Sequence, residues 1–206
     1  SINKSYKNIH ILYIIFEWWY FMQKVYIDWG HGMGDEIFSS YPIGEKVLKK
    51  LEAIGIQAEI RPEDMNKISL EERISKIRES RAQILISIDS NWSENANQKG
   101  VETYYNTASK TGDLLAKKVQ RELIKATNLY NRGIIGCDSK TNNEITTLLK
   151  ANEISIVSLI GFSSNPHERL QIEQDKFKEL ISDGILKGIS RYLNINGALS
   201  SKGIFM

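Results

Sequence analysis

The feature that most constrains this chain is an alternation beginning at Lys24. Five short apolar runs, VYIDW (25–29), IQAEI (56–60), QILISI (83–88), VETYY (101–105) and ISIVSLIGF (154–162), are separated by stretches whose apolar residues recur at helical spacing. Parallel strands need a long crossover between them, usually a helix, so this order predicts a mostly parallel sheet. The expected fold class is α/β: a single domain with a central, mostly parallel, twisted sheet of five to six strands and helices on both faces.

The intervening stretches carry their own signals. Val47, Leu48, Leu51 and Ile54 share one face of a helix from about Gly44 to Ile54, which Gly55 ends. Ser69 with Glu72 makes a capping box ahead of a helix to about Arg81. Two longer helices are expected at Ser109–Thr127 (apolar face Leu114, Leu115, Val119, Leu123) and Glu173–Leu193 (Phe177, Ile181, Ile185, Ile189). With no internal repeat or linker, residues 22–194 are expected to form the domain, 1–21 an apolar arm and 195–206 a tail.

Charge and cysteine usage narrow the function classes. Lys and Arg total 27 against 25 Asp and Glu, a net +2, which is too little for the basic field that phosphate-backbone binding requires, so no nucleic-acid partner is expected. The single cysteine, Cys137, excludes an internal disulfide and a cysteine-rich zinc ribbon, leaving three histidines and the carboxylates as metal ligands. The arm is apolar from Ile9 to Met22, but His10 and Glu17 interrupt it and it is shorter than the ~20 residues of a stable membrane span. Lys4 and Lys7 precede it as in a secretory signal, yet no small-x-small cleavage site follows; Met22 is a second candidate for the natural start.

At the end of the first expected strand stands Ile27-Asp28-Trp29-Gly30-His31-Gly32-Met33-Gly34-Asp35-Glu36. Open α/β sheets build their sites at such strand ends, and flanking glycines leave the His31 imidazole open to a ligand. A dinucleotide fingerprint fails on spacing, because the glycines read G-x-G-x-G with a histidine inside the turn. His31 as a plain turn residue is the competing reading.

Further motifs follow in order. IDWGHG, then Glu36 spaced back from Gly55, Leu70-x-x-Arg73, ISIDSN (86–91), GVETYY (100–105), NRGI (131–134) and IVSLIGFSSNPHE (156–168) together resemble the zinc-dependent N-acetylmuramoyl-L-alanine amidases of type 3. The resemblance runs from Val25 to about Leu193. It implies an enzyme fold that cuts the bond between muramic acid and L-alanine, peptidoglycan or a muropeptide as the ligand, and action in the cell envelope or outside the cell. It also marks His31, Glu36 and Asp89 as the metal-ligand positions. Asn91 and Trp92, just beyond Asp89, are candidates for substrate contact.

Two departures put the chemistry in doubt. Asp89 stands where the family has its second histidine, and an oxygen ligand there keeps zinc permissible but favours harder divalent ions. Leu159 stands where the family has its catalytic glutamate, and leucine moves no proton; a positioned acid or base contributes about 10²–10⁴-fold. Glu94, Glu102 and Glu168 are candidate stand-ins, with Glu102 expected to point away. His10, His167 and Cys137 are expected to be structural or solvated. Trp29, Pro42 and Gly44 also depart from the family pattern, and the last two suggest a broken or delayed first helix. The resemblance therefore implies either an impaired enzyme serving as a binding or regulatory module, or an active amidase with a rearranged site.

Overall fold

A computed structural model of the protein describes residues 23–30, 39–138 and 143–193. The apolar arm and the tail lie outside the described residues. The strands are β1 (Lys24–Trp29), β2 (Gln57–Ile60), β3 (Ile84–Asn91), β4 (Val101–Asn106), β5 (Asn131–Cys137) and β6 (Ile154–Phe162). They form one sheet in the order β2-β1-β3-β6-β4-β5. All pairings are parallel except β4 with β6, which is antiparallel. The expected α/β class therefore holds, with six strands and one reversed pairing. Strand β5 is absent from the five apolar runs because it lies at an edge, carries two glycines, and is half-buried or exposed along its length.

The helices are α1 (Tyr41–Ala53), α2 (Leu70–Glu79), α3 (Lys110–Thr127), α4 (Glu144–Leu149), α5 (Pro166–Glu173) and α6 (Asp175–Tyr192). Helix α1 begins three residues before Gly44 because Pro42 occupies its first turn, where a missing N–H costs nothing. The α2 capping box forms as its spacing predicts: Ser69 Oγ accepts the Glu72 N–H at 3.2 Å, and Glu72 Oε2 accepts the Ser69 N–H at 2.8 Å. The last expected helix is preceded by a separate one, α5, which Asn165 caps by accepting the N–H groups of His167 and Glu168. Gln174, in extended conformation, separates α5 from α6.

Side-chain alternation along the strands divides the core. Val25, Ile27, Ile84, Ile86, Ile88, Ile156 and Ile160 pack with α1, α3 and α6 in a cluster of 24 buried residues. Their neighbours in sequence, Tyr26, Leu85, Val157 and Leu159, point the other way and pack with Ile77 of α2 and Leu148 and Leu149 of α4, seven buried residues in all. On the thick side, α3 and α6 meet backbone to backbone. A Cβ on Gly188 would lie 2.5 Å from Val119 Cα, and one on Gly184 would lie 2.9 Å from Leu123 Cα. The thin side is where charged groups such as Asp28 and Glu102 enter the sheet, while the thick side holds a neutral cluster of Thr103, Ser158 and Gln120.

Candidate functional site

Strand β1 delivers the chain to Gly30 at the carboxyl end of the sheet, and it returns at Ser40 just before α1. These two residues are tied together. Gly30 N–H donates to Ile88 O at 2.9 Å and to Ser40 Oγ at 3.0 Å, and Ser40 N–H donates to Gly30 O at 3.1 Å. The buried Ser40 hydroxyl also sits 2.5 Å from Ile88 O, so it joins this neck to β3 instead of capping α1. His31 and Glu36 belong to the segment between these ends and lie outside the described residues.

Asp89, the third position of the expected ligand set, lies against that neck. A Cβ on Gly30 would fall 1.8 Å from Asp89 Oδ2, so only glycine admits the carboxylate here. Asp89 Oδ1 accepts the Ser90 N–H at 2.7 Å. The strand register places Asp89 beside Leu159 of β6, and Leu159 beside Glu102 of β4, giving one row across three strands on the thin side. Leu159 is 2% exposed. Asp89, Leu159, Ser87, Glu144 and Leu148 line a cavity of about 90 Å³.

Beneath this row lies an ion network. Asp28, fully buried, accepts hydrogen bonds from Arg61 Nε at 2.7 Å, Arg73 Nη2 at 2.5 Å and Ser87 Oγ at 2.9 Å. Burial on its own opposes ionisation of Asp28, but the guanidiniums of Arg73 and then Arg61 prevail and hold its carboxyl below the ordinary range. Arg73 also reaches Glu144 on α4, and its charge is felt by Asp89. Trp29 finds its purpose in the same network: its ring lies under the Arg61 guanidinium at 4.0 Å, and its Nε1 donates to Arg61 O at 2.8 Å.

The candidate stand-ins for the missing glutamate are placed as follows. Glu102 does not point away; it is 3% exposed and accepts from Asn91 Nδ2 (2.8 Å), the Tyr104 hydroxyl (2.8 Å) and Arg132 Nε (2.6 Å). Glu168 is buried as well and accepts the N–H groups of Gly100 (2.7 Å) and Phe162 (2.8 Å). Burial pushes the Glu168 carboxyl above its usual value, although those two N–H groups pull the other way. Glu94 is exposed. Both buried carboxylates are thus spent on holding strand ends together. Glu144 was missed by sequence reasoning, since nothing in its local pattern announces that it shares a cavity with Asp89.

Of the two residues expected to meet substrate, Asn91 is engaged at both ends of its amide: Nδ2 donates to Glu102, and Oδ1 accepts the Trp92 N–H at 2.8 Å. Trp92 is 42% exposed and presents an aromatic surface beside the row. His167 is exposed at the start of α5, and burial pushes the Cys137 thiol up, away from the thiolate a nucleophile needs.

Among the described residues, no group of three His, Cys, Asp or Glu side chains is placed to hold a metal ion. Asp89 is the one expected ligand they include. Its carboxylate lies on the residue that precedes His31, and one imidazole with two carboxylates is a donor set that suits a divalent ion.

A family model described as N-acetylmuramoyl-L-alanine amidase (Amidase_3) matches residues 25–191. The chain belongs to this family. The Amidase_3 match covers every strand and helix described above except the first residue of β1 and the last of α6. Relatives include YqiI of Bacillus subtilis (strain 168), 25% identical over 82% of this chain and 84% of that protein. The N-acetylmuramoyl-L-alanine amidase LytC of the same organism is also 25% identical over 82% of this chain, which spans 35% of its length. Among solved Amidase_3-like folds, an N-acetylmuramoyl-L-alanine amidase from Clostridium difficile 630 superposes with a TM-score of 0.68 at 28% identity, covering 84% of this chain and 97% of that one. Among the described residues, no helix is long and apolar enough to cross a membrane.

Proposed function

We propose that this chain is an amidase-fold protein that engages peptidoglycan or its muropeptides in the cell envelope or outside the cell, as a binding or regulatory module with impaired hydrolysis. The observation that carries this reading is the environment of Leu159. Leu159, which by the resemblance stands at the family's catalytic-glutamate position, is sealed from solvent and is flanked by Asp89 on one side and on the other by Glu102, which already accepts from three donors. A leucine there can neither take up nor deliver a proton, which supports the impaired reading.

His31, Glu36 and Asp89 would hold a divalent ion in this reading, and their two carboxylates favour zinc less than an imidazole-rich set does. When bound, such an ion polarises a carbonyl and lowers the pKa of its water. Metal content of the purified chain, with the Asp89→Ala variant as the comparison, tests the ligand set independently of turnover.

The second reading, an active metal-dependent amidase with a rearranged site, draws on one feature. Glu144 lines the same cavity as Asp89 and Leu159 and supplies a carboxylate on the opposite wall, although Arg73 holds it. The double variant Asp89→His with Leu159→Glu distinguishes the readings. An impaired site should gain about 10²-fold or more in release of stem peptide from purified peptidoglycan. A folded double variant with no gain overturns the impaired-amidase account, and loss of an existing activity in Glu144→Gln supports the rearranged site.

A further inference from the structure

We propose that the β5 edge of the sheet pairs with the same edge of a second copy of this chain, antiparallel and about a two-fold axis at Ile135, joining two six-stranded sheets into one. This interface goes beyond the reading above and does not depend on it.

The two edges of the sheet are finished differently. At one, β2 has four residues, carries the exposed Glu59 paired to Lys24, and runs into Arg61-Pro62. Short length, charge and proline are common devices that keep an edge from pairing. At the other, β5 has seven residues, no proline, and Arg132 as its one charge, which Glu102 already neutralises at 2.6 Å. No described strand lies beyond β5. Its apolar residues Ile134 and Ile135 are only half-buried. Ile134 packs on the thick cluster, whereas Ile135, beside Tyr104 on the thin face, belongs to neither cluster.

The backbone identifies the atoms on offer. Cys137 O accepts the Thr107 N–H at 3.0 Å, so Cys137 faces β4. Alternate residues of a strand turn their N–H and C=O groups to opposite sides, so Ile135 also faces β4 while Ile134 and Gly136 face outward. The regular part of this edge begins at Gly133. The register shifts between Val101 and Glu102, Gly133 has φ +89°, and its N–H is taken by Asn131 Oδ1 at 2.9 Å. Residues 133–137 are therefore the segment free to pair, and Ile135 is its midpoint.

That segment is complementary to itself. Antiparallel pairing about Ile135 sets Ile134 opposite Gly136 of the partner subunit, so each large side chain meets a glycine and the outward N–H and C=O groups of both residues are satisfied. Ile135 meets its own copy in the close, non-hydrogen-bonded position on the thin face. Residues directly opposite share a face, and a two-fold axis normal to the sheet keeps both faces continuous. An unrelated strand would have to supply this spacing of glycine and isoleucine, whereas a second copy supplies it automatically. The protected β2 edge stops further addition, so association closes at a dimer.

Sedimentation velocity of the full chain over a concentration series to about 1 mM tests this interface. A pairing of five residues falls short of the ~1,200–2,000 Å² of standard interfaces, so a dimer in exchange with monomer is expected. Ile135→Lys sets two ammonium groups against each other, and Ile134→Pro removes an outward N–H that β4 does not use; each should weaken association tenfold or more. In a Cys137→Ser background, Ile135→Cys should form an intersubunit disulfide on mild oxidation, because Cα atoms of a non-hydrogen-bonded pair lie about 4.5 Å apart. Ile134→Cys in the same background should not. A chain that stays monomeric throughout the series overturns the proposal and leaves this edge to a strand of a different protein. A dimer indifferent to Ile135→Lys, or one that cross-links through Ile134→Cys and not through Ile135→Cys, overturns it as well.

Discussion

The two faces of the sheet are built on opposite principles. One buries 24 apolar residues with the help of four helices, two of which touch through Gly184 and Gly188. The other buries seven apolar residues under two short helices and gives the remaining space to Asp28, Arg61, Arg73, Asp89 and Glu102. Charged groups in a sheet interior persist only where every partner is in place, since a missing partner leaves an uncompensated charge. The contrast teaches that stability on the first face is spread over many interchangeable contacts, whereas on the second it depends on a few specific ones. A face of the second kind can host chemistry because its polar atoms are already desolvated and fixed.

The sharpest way to break this contrast is to remove Asp28. Asp28→Ala leaves Arg61 and Arg73 without their shared anion and is expected to cost about 3–5 kcal/mol in urea denaturation. The folded Asp28 carboxyl is depressed, so the unfolded chain binds its proton first as pH falls. Its stabilisation is therefore complete above the unfolded value near 3.9 and is lost as pH drops through the folded one. Asp28→Asn should flatten that acid limb, and a variant that keeps the full slope would assign the limb to other carboxylates. Next in size, Ile185→Ala on the thick face should cost about 2–5 kcal/mol, while Leu159→Ala, already beside a cavity, should fall toward the lower end of that range. Equal losses would mean that the thin face is packed as tightly as the thick one. The smallest effect belongs to neither face: Ser69→Ala removes the α2 cap and should lower the thermal midpoint by the equivalent of about 1 kcal/mol.

The elements legible in the sequence are those with a strong period or a local signature. Strands β1, β3 and β6 are nearly continuous apolar runs, α3 and α6 carry regular apolar faces, and the α2 capping box needs only two residues three apart. Strand β5 has no buried residue and carries two glycines, and helix α4 has only six residues, so neither shows a period to read. In the candidate site, Asp89 and Leu159 were identified through the resemblance and do occupy one row. The Asp28 network was invisible, because Arg61 and Arg73 reach it from 33 and 45 residues away and pairing at that range leaves no trace in spacing. The buried scaffolding roles of Glu102 and Glu168 leave no local sign for the same reason: their partners lie on other elements.

The Gly30–Ser40 neck has a consequence for how such a protein changes over time. Gly30 and Ser40, which bracket residues 31–39 in the sequence, are fastened to each other and to β3. The entropy of bringing those ends together is lost to the fold whatever residues lie between them. Substitutions between Gly30 and Ser40 are therefore expected to leave this neck in place, because its hydrogen bonds use only atoms of Gly30, Ser40 and Ile88. The neck is thus a fixed socket whose own bonds do not depend on the sequence it brackets.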